Sequence, residues 1–385
     1  LVSARHDEPR VLTGEQRIDW LRLIRSENVG PVTFHGLVEH FGGAGEALRA
    51  LPGLALRGGR EARVCSREEA ERELEAARRC GAELVAYGEA AFPPLLGHIE
   101  APPPVIYMKG AKEIWRRPAV AIVGSRNASA LGRKFARGLA AELGAEGLAI
   151  VSGLARGVDT AAHHGAVDTG TIAVLAGGID VIYPPENAGL YDRIPGAGAI
   201  ISEAPPGFQA RAQDFPRRNR LISGASLGVV VVEAAQRSGS LITARFALEQ
   251  NRQVFAVPGH PLDPRSAGGN GLLRQGARLV ACAQDVLDEL EPLLASVQSS
   301  AHAAKLSASA RSLCTEDAAV GDPQSDLFDK PECELVFEAL GAAPVSVDDV
   351  IRATSLSPAA VKIALLELEL AGRLDRRCGQ LVSRR

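Results

Sequence analysis

The chain contains no run of 18 apolar residues, so no membrane-spanning helix is expected. Its first residues lack the long apolar segment that opens a secretory leader, so no leader is expected. The six cysteines, at positions 65, 80, 282, 314, 333 and 378, form no C-x-x-C pair and share no metal-ligand spacing with histidine. They read as scattered reduced thiols, which fits a cytoplasmic protein, and no metal site is expected. The string G-x-x-x-x-G-K-[ST] is missing, which argues against an NTPase. The spacing G-x-G-x-x-G is missing too, which argues against a dinucleotide site, and no cofactor is expected. Net positive charge is also lacking: the formal charge is −3. A nucleic-acid binder of this composition must therefore concentrate its basic residues in one place.

What is present is ordinary globular material, 46% hydrophobic and 23% charged, with 40 glycines gathered mostly in the middle of the chain. At 385 residues it should form two or three domains. The first is expected at 12–82, a small helical domain. Ile18, Leu21 and Ile24 recur at helical spacing, and Asn28-Val29-Gly30-Pro31 stops the helix. Leu51-Pro52-Gly53-Leu54 resembles the turn of a helix-hairpin-helix, a device that can offer backbone N–H groups to phosphate. Residues 66–80 read as a solvated helix with i,i+4 charge pairs.

From 83 to 291 short apolar runs alternate with helical stretches such as 129–146 and 240–250. The runs are Ala119–Val123, Ala149–Val151, Thr171–Leu175, Ala199–Ile201, Gly228–Val232 and Val254–Val257. This pattern predicts a Rossmann-like α/β core, a doubly wound and mostly parallel sheet covered on both faces. Leu84–Tyr87 and Val105–Lys109 are further strand candidates. Residues 292–330 are rich in Ala and Ser without a period and read as a flexible linker. Helices are expected at 332–340, 347–354 and 357–371, the last capped by Ser357 with Pro358 at its first position. A hairpin with Gly379 in its turn would follow, giving 331–385 a winged-helix outline.

In an open parallel sheet, ligands bind beyond the carboxyl ends of the strands, near the point where strand order reverses. After the first clear run come Gly124, Ser125 and Arg126, then a helix. After the second come Ser152, Gly153 and Arg156, then another helix. Each loop joins a glycine and an arginine to a helix N-terminus, an arrangement suited to a polyanion. Residues 211–220 hold Arg211, Arg217, Arg218 and Arg220 against Asp214 alone, a local charge of +3. Phe215 sits inside that stretch and could stack a base while arginines hold phosphates. Ser238, Gly239 and Ser240 form one more donor-rich turn before a helix. His163 and His164 are adjacent on a helix, point to different faces and suggest structural roles. Asp159, Glu203 and Glu233 could act as general bases, but no nucleophile partner is evident for any of them.

The strings VGSR (123–126), SGLARGVDTAAH (152–163), TIAVLAGGIDVIYPPEN (171–187), SEAPPG (202–207), FPRRNRLISG (215–224), VVVEAAQRSGSLITA (230–244), VFAVPG (254–259) and GGNGLLRQGA (268–277) resemble, in order, the signature series of the DprA/Smf DNA-processing family. The resemblance implies a sterile-alpha-motif-like N-terminal domain and a winged-helix C-terminal domain around the core. It implies a non-enzymatic protein that binds single-stranded DNA during natural transformation, protects it and helps load RecA. It also implies a homodimer formed through the core. The family's basic pocket maps onto Arg126, the FPRRNR stretch with Asn219, and the Ser238-Gly239-Ser240 turn. An enzyme related to nucleotide phosphoribohydrolases is the competing reading, but its PGG-x-GT-x-x-E loop has no match here. A purely structural adaptor is disfavoured by the arginine cluster. The winged-helix region is unusual for a groove reader. Residues 332–372 carry seven acids and two bases, a net of −5, and the tail 373–385 has a net of +4. This predicts protein contact or regulation for that domain, with at most its wing tip on DNA.

Overall fold

The computed structural model describes residues 11–295, 330–377 and 380–385. The expected linker and the turn at Gly379 lie largely outside these, as do Cys314 and Cys378. The described residues form two compact units. One holds 73–99 and 105–295; the other holds 11–72, 100–104 and 330 onward. The second unit opens with α1 (Gly14–Arg25), α2 (Pro31–Phe41) and α3 (Ala44–Arg57). Thr13 and Gln16 form a reciprocal capping box at the start of α1. The turn expected at Leu51-Pro52-Gly53-Leu54 is not there, because these residues lie inside α3. Ala47, Leu48, Leu51, Leu54 and Ala55 are all buried along one helical stripe. Burying that stripe outweighs the proline penalty of about 3 kcal/mol.

Helix α4 (Arg67–Arg79) leads into β1 (Glu83–Ala86), and the solvated helix foreseen there carries an Arg67–Glu71 pair at 2.8 Å. The first unit is built on nine strands: β1, β2 (Val105–Gly110), β3 (Ala119–Gly124), β4 (Ala149–Ser152), β5 (Thr171–Leu175), β6 (Ala199–Ser202), β7 (Gly228–Val232), β8 (Gln253–Ala256) and β9 (Arg278–Leu279). Their order is β1-β2-β6-β5-β4-β3-β7-β8-β9. Strands β3 to β9 pair in parallel, whereas β2 joins β6 and β1 joins β2 antiparallel. The architecture is the doubly wound α/β core expected from the apolar runs. Val120 and Ile122 face one buried cluster while Ala121 and Val123 face another. Both faces are covered, so the strands read as continuous apolar runs rather than alternating ones. The helices of this unit are α5 (Ala130–Ala145), α6 (Val158–Ala166), α7 (Ala188–Arg193), α8 (Asp214–Gly224), α9 (Gly239–Glu249), α10 (Ala267–Arg274) and α11 (283–295). After β6 the chain returns to lay β7 on the free side of β3, so strand order reverses there.

The C-terminal part comprises α12 (Lys330–Ala339), β10 (Val345–Ser346), α13 (Val347–Thr354), α14 (Pro358–Leu370), β11 (Leu374–Arg377) and β12 (Leu381–Arg384). Three helices and a small antiparallel sheet make a winged-helix domain. Ser357 caps α14 through the Ala360 N–H at 3.1 Å, with Pro358 at the first position. Helix α14 is mostly apolar, and eight of its residues are buried, Glu367 among them. One side packs on α12, and another lies against α2 and α3 of the same unit. The Asn28 side chain donates to the Leu370 carbonyl at 2.8 Å. Arg57 pairs with Glu367 at 2.5 Å. A side chain at Gly58 would collide with the Glu367 carbonyl, so the glycine permits this contact. The basic tail is largely engaged inside the unit. Arg373 donates to Gly58 O and lies 3.8 Å from the Phe337 ring centre, Arg376 pairs with Glu369, and Arg384 bonds the Phe337 carbonyl.

Candidate nucleic-acid interface

The reversal of strand order puts the end of β3 beside the end of β7. Gly124 sits where any Cβ would overlap the Val232 carbonyl and the Val158 side chain. The next N–H, that of Ser125, donates to Glu233 O at 2.7 Å. Glu233, at φ +50, turns its carboxylate onto the start of α5. There it accepts the Ser129 N–H at 2.8 Å and the Ser129 hydroxyl at 2.5 Å. This corrects the expected phosphate seat at that helix N-terminus, where the protein's own carboxylate is the anion. The Ser125 hydroxyl accepts the Asn127 N–H at 3.1 Å, while Arg126 is exposed.

The loop after β4 is closed in the same way. Ser152 is fully buried and donates its hydroxyl to Ile122 O at 2.7 Å, so it presents nothing to a ligand, contrary to expectation. The Gly153 N–H and the Ala155 N–H both go to the Asp159 carboxylate, at 3.1 and 3.3 Å. A Cβ at Gly153 would lie 2.6 Å from the Arg218 guanidinium, so glycine is what lets that arginine in. Arg218 is 6% exposed and donates to the Gly153 carbonyl at 2.7 Å and to that of Val174. Burial holds Arg218 down at about 10, still charged at neutral pH. Burial also pushes the Asp159 carboxyl up to about 6, against the pull of Arg218. Arg156 is exposed but pairs with Glu186 at 2.6 Å. His163 is buried, bonded through Nδ1 to Thr171 Oγ1 at 2.7 Å, and burial holds it down at about 3.

The FPRRNR stretch is helical, forming the first part of α8. Successive helical residues point about 100° apart, so the four basic and polar side chains fan out instead of acting together. Arg217 is exposed. Arg218 turns into the core as described. Asn219 is buried and ties α8 to α9 through Gly239 O at 3.2 Å. Arg220 pairs with Glu203. Ser238 caps α9, and its hydroxyl lies 2.7 Å from that of the buried Ser240, leaving Gly239 as the exposed member of that turn. Half-buried Phe215 connects the set. The Arg126 guanidinium carbon is 4.9 Å from its ring centre and that of Arg218 is 6.0 Å away. Two arginines 92 positions apart thus meet at one ring, on the carboxyl rim of the sheet.

Four residues at this rim have roles that the sequence reading did not assign. Glu186, Glu203 and Glu233 answer basic groups or helix ends there, and Tyr183 lies 5.7 Å from Phe215, centre to centre. All four stand inside the quoted strings. Only Glu203 and Glu233 were weighed, and then as bases rather than as counter-ions.

Residues 83–291 match the family model described as DNA recombination-mediator protein A. The chain belongs to the DprA/Smf family. Residues 14–76 match the DprA-like N-terminal HHH domain, and 322–380 match the DprA winged helix domain. Protein Smf of Synechocystis sp. is 31% identical over 404 aligned positions, which span 97% of this chain and all of that one. DNA processing protein DprA of Streptococcus pneumoniae is 46% identical over 202 positions, spanning 52% of this chain and 71% of that one. The X-ray structure of Streptococcus pneumoniae DprA superposes with a TM-score of 0.61 at 34% identity, covering 72% of this chain and 99% of that chain. A Helicobacter pylori DprA structure, described by its single-stranded DNA binding mode, superposes with a TM-score of 0.51 at 30% identity. It covers 55% of this chain and 96% of that chain. The Rossmann-like core, helical N-terminal part and winged helix are thus those of the DprA/Smf family. No described helix is long and apolar enough to cross a membrane.

Proposed function

We propose that this chain binds single-stranded DNA along the carboxyl rim of its sheet and acts in DNA uptake without chemistry of its own. The carrying observation is the convergence of Arg126 and Arg218 on Phe215, with exposed Arg217 on the same helix as that ring. Arg126 and Arg217 supply the solvent-facing charge that phosphates need. Arg218 adds a fixed positive charge beneath them. Gly124, Gly153 and Asn219 shape the backbone that brings these groups together, and Ser125 and the Ser238-Gly239-Ser240 turn border them. Arg156 and Arg220 offer less, since each already faces a carboxylate. The strand-binding mode described for the Helicobacter pylori relative supports this reading.

Protection of incoming strands, transfer to RecA, cytoplasmic location and homodimerisation through the core complete the proposal and rest on family membership. The testing experiment is a gel shift with single- and double-stranded oligonucleotides of one length across a salt series. Single strands should be retained in preference, with affinity falling steeply as salt rises. Equal retention of both forms, or no shift at low salt, would refute the proposal.

A further inference from the structure

Phe215 has the composition of a base-stacking residue but not the freedom of one. It is half-buried, and Arg126 and Arg218 already lie around its ring. An aromatic ring that carries a guanidinium on its face is a support for that cation. Tyr183 is different. Its side chain is 54% exposed, more than Phe208 on the adjoining loop at 37%, whereas Leu154 and Ile179 nearby are buried. Its ring centre lies 5.7 Å from that of Phe215 with the planes tilted by 59°, so it extends the aromatic surface outward from the arginine-bearing ring.

The loop that carries Tyr183 is tied down on both sides. Before it, the Gly178 N–H donates to Phe208 O at 2.8 Å, and Asp180 accepts the Gly207 N–H at 2.7 Å. After it, the Asn187 side chain donates to Leu154 O at 2.8 Å, joining this loop to the one after β4. Tyr183 is therefore an exposed ring on an anchored loop, beside a cation held in place by the neighbouring ring. Phosphate held by Arg126 and an attached base stacked on Tyr183 is the pairing that single-strand sites use. A duplex cannot offer that base without unstacking it.

We infer that Tyr183 is the base-stacking residue of the rim and that Phe215 positions Arg126. This deepens the proposed function and rests on it. The test uses the full chain and two probes of equal length and phosphate number, oligothymidylate and a fully abasic strand. Tyr183→Ala should weaken oligothymidylate binding about tenfold while leaving the abasic strand and the salt slope unchanged. Tyr183→Phe should bind both probes like the parent, because the ring and not the hydroxyl does the stacking. Phe215→Ala should weaken both probes together. The inference is overturned if Tyr183→Ala binds oligothymidylate like the parent, if it weakens both probes equally, or if Tyr183→Phe behaves like Tyr183→Ala. A parent chain that binds the two probes equally well also overturns it, with strand binding intact. A parent chain that binds neither at low salt removes the underlying reading as well.

Discussion

Arg220 lies with one guanidinium nitrogen 2.7 Å from both carboxylate oxygens of Glu203, and the two side chains are only 13% and 20% exposed. Three positions earlier on the same helix, Arg217 stands in solvent. Adjacent members of one basic cluster therefore have different jobs. Arg217→Ala should leave the melting temperature unchanged and weaken single-strand binding, lowering the log–log salt slope by about 0.7, the loss of one phosphate contact. Arg220→Ala should do the reverse. It removes the ion pair of a mostly buried carboxylate at a cost of about 1–3 kcal/mol, visible as a lower melting temperature, with the salt slope intact. Thermal melts and salt titrations of the two variants decide the matter. Equal slopes lost in both would show that Arg220 leaves Glu203 for the strand.

The pair that meets at Phe215 divides in the same way. Arg126 is exposed, so Arg126→Ala should reduce binding without loss of fold. Arg218 is enclosed, bonded to two carbonyls and set against buried Asp159. Its removal leaves the buried Gly153 and Val174 carbonyls without that donor and takes the positive charge away from Asp159, a loss of roughly 1–3 kcal/mol. Arg218→Ala should therefore melt far below the parent, and its weaker binding should follow from the damaged core. A variant as stable as the parent would contradict the enclosed, carbonyl-bonded placement of Arg218.

Asp159 gives the rim a pH dependence. Burial holds its carboxyl up at about 6, so it is mostly ionised at pH 7.5 and mostly protonated at pH 5.5. Ionised, it offsets the charge of Arg218 beneath the proposed phosphate path. Protonated, it leaves that charge free to act. Affinity for oligothymidylate, whose bases do not titrate in this range, should therefore tighten severalfold as pH falls from 7.5 to 5.5. The limit is roughly tenfold for each unit by which bound phosphate raises the Asp159 pKa. Asp159→Asn should bind at pH 7.5 as the parent does at pH 5.5 and show a flat profile. Affinity that weakens on acidification, or a profile that the Asp159→Asn substitution leaves unchanged, counts against the carboxylate as the titrating group.

The sheet was legible because a strand buried on both faces must be apolar throughout. Val120 to Val123 could hardly be anything else, and the same logic located β4, β5, β6, β7 and β8. The third winged-helix helix was legible from its cap at Ser357 and its first-position Pro358. The turn misplaced at Pro52 shows the limit of local signals, since a buried stripe of leucines can carry a helix through a proline. At the rim, sequence identified which loops would matter but not which side chains would face out. Arg217, Arg218 and Arg220 are equivalent in the one-dimensional string. Only helical phase, the acids at 159 and 203, and the opening made by Gly153 tell them apart. Tyr183 was hidden for the same reason: its exposure depends on how three loops are tied together.

Helix α14 occupies the position of a recognition helix in a winged-helix domain, and here it is covered. Val361, Leu365 and Leu368 face its own domain's core. On another side Leu366 reaches to within 3.3 Å of where a Cβ on Gly36 would stand, and Glu367 pairs with Arg57. A helix enclosed in this way cannot enter a major groove without separating from α2 and α3, and its acids would oppose DNA if it did. Of the tail arginines, Arg373, Arg376 and Arg384 are already engaged within the unit. Truncation after residue 295 should therefore leave single-strand affinity and salt slope within about twofold of the parent. It should also lower the thermal stability of the N-terminal helices, which lose the apolar cover of α14. Glu367→Lys, which sets two cations against each other at the same contact, should reproduce the second effect without the truncation and without touching the core. Oligonucleotide titration and thermal melts of both variants provide the check. A truncated chain whose core stays folded but whose affinity collapses would place the DNA-binding surface in the winged helix instead.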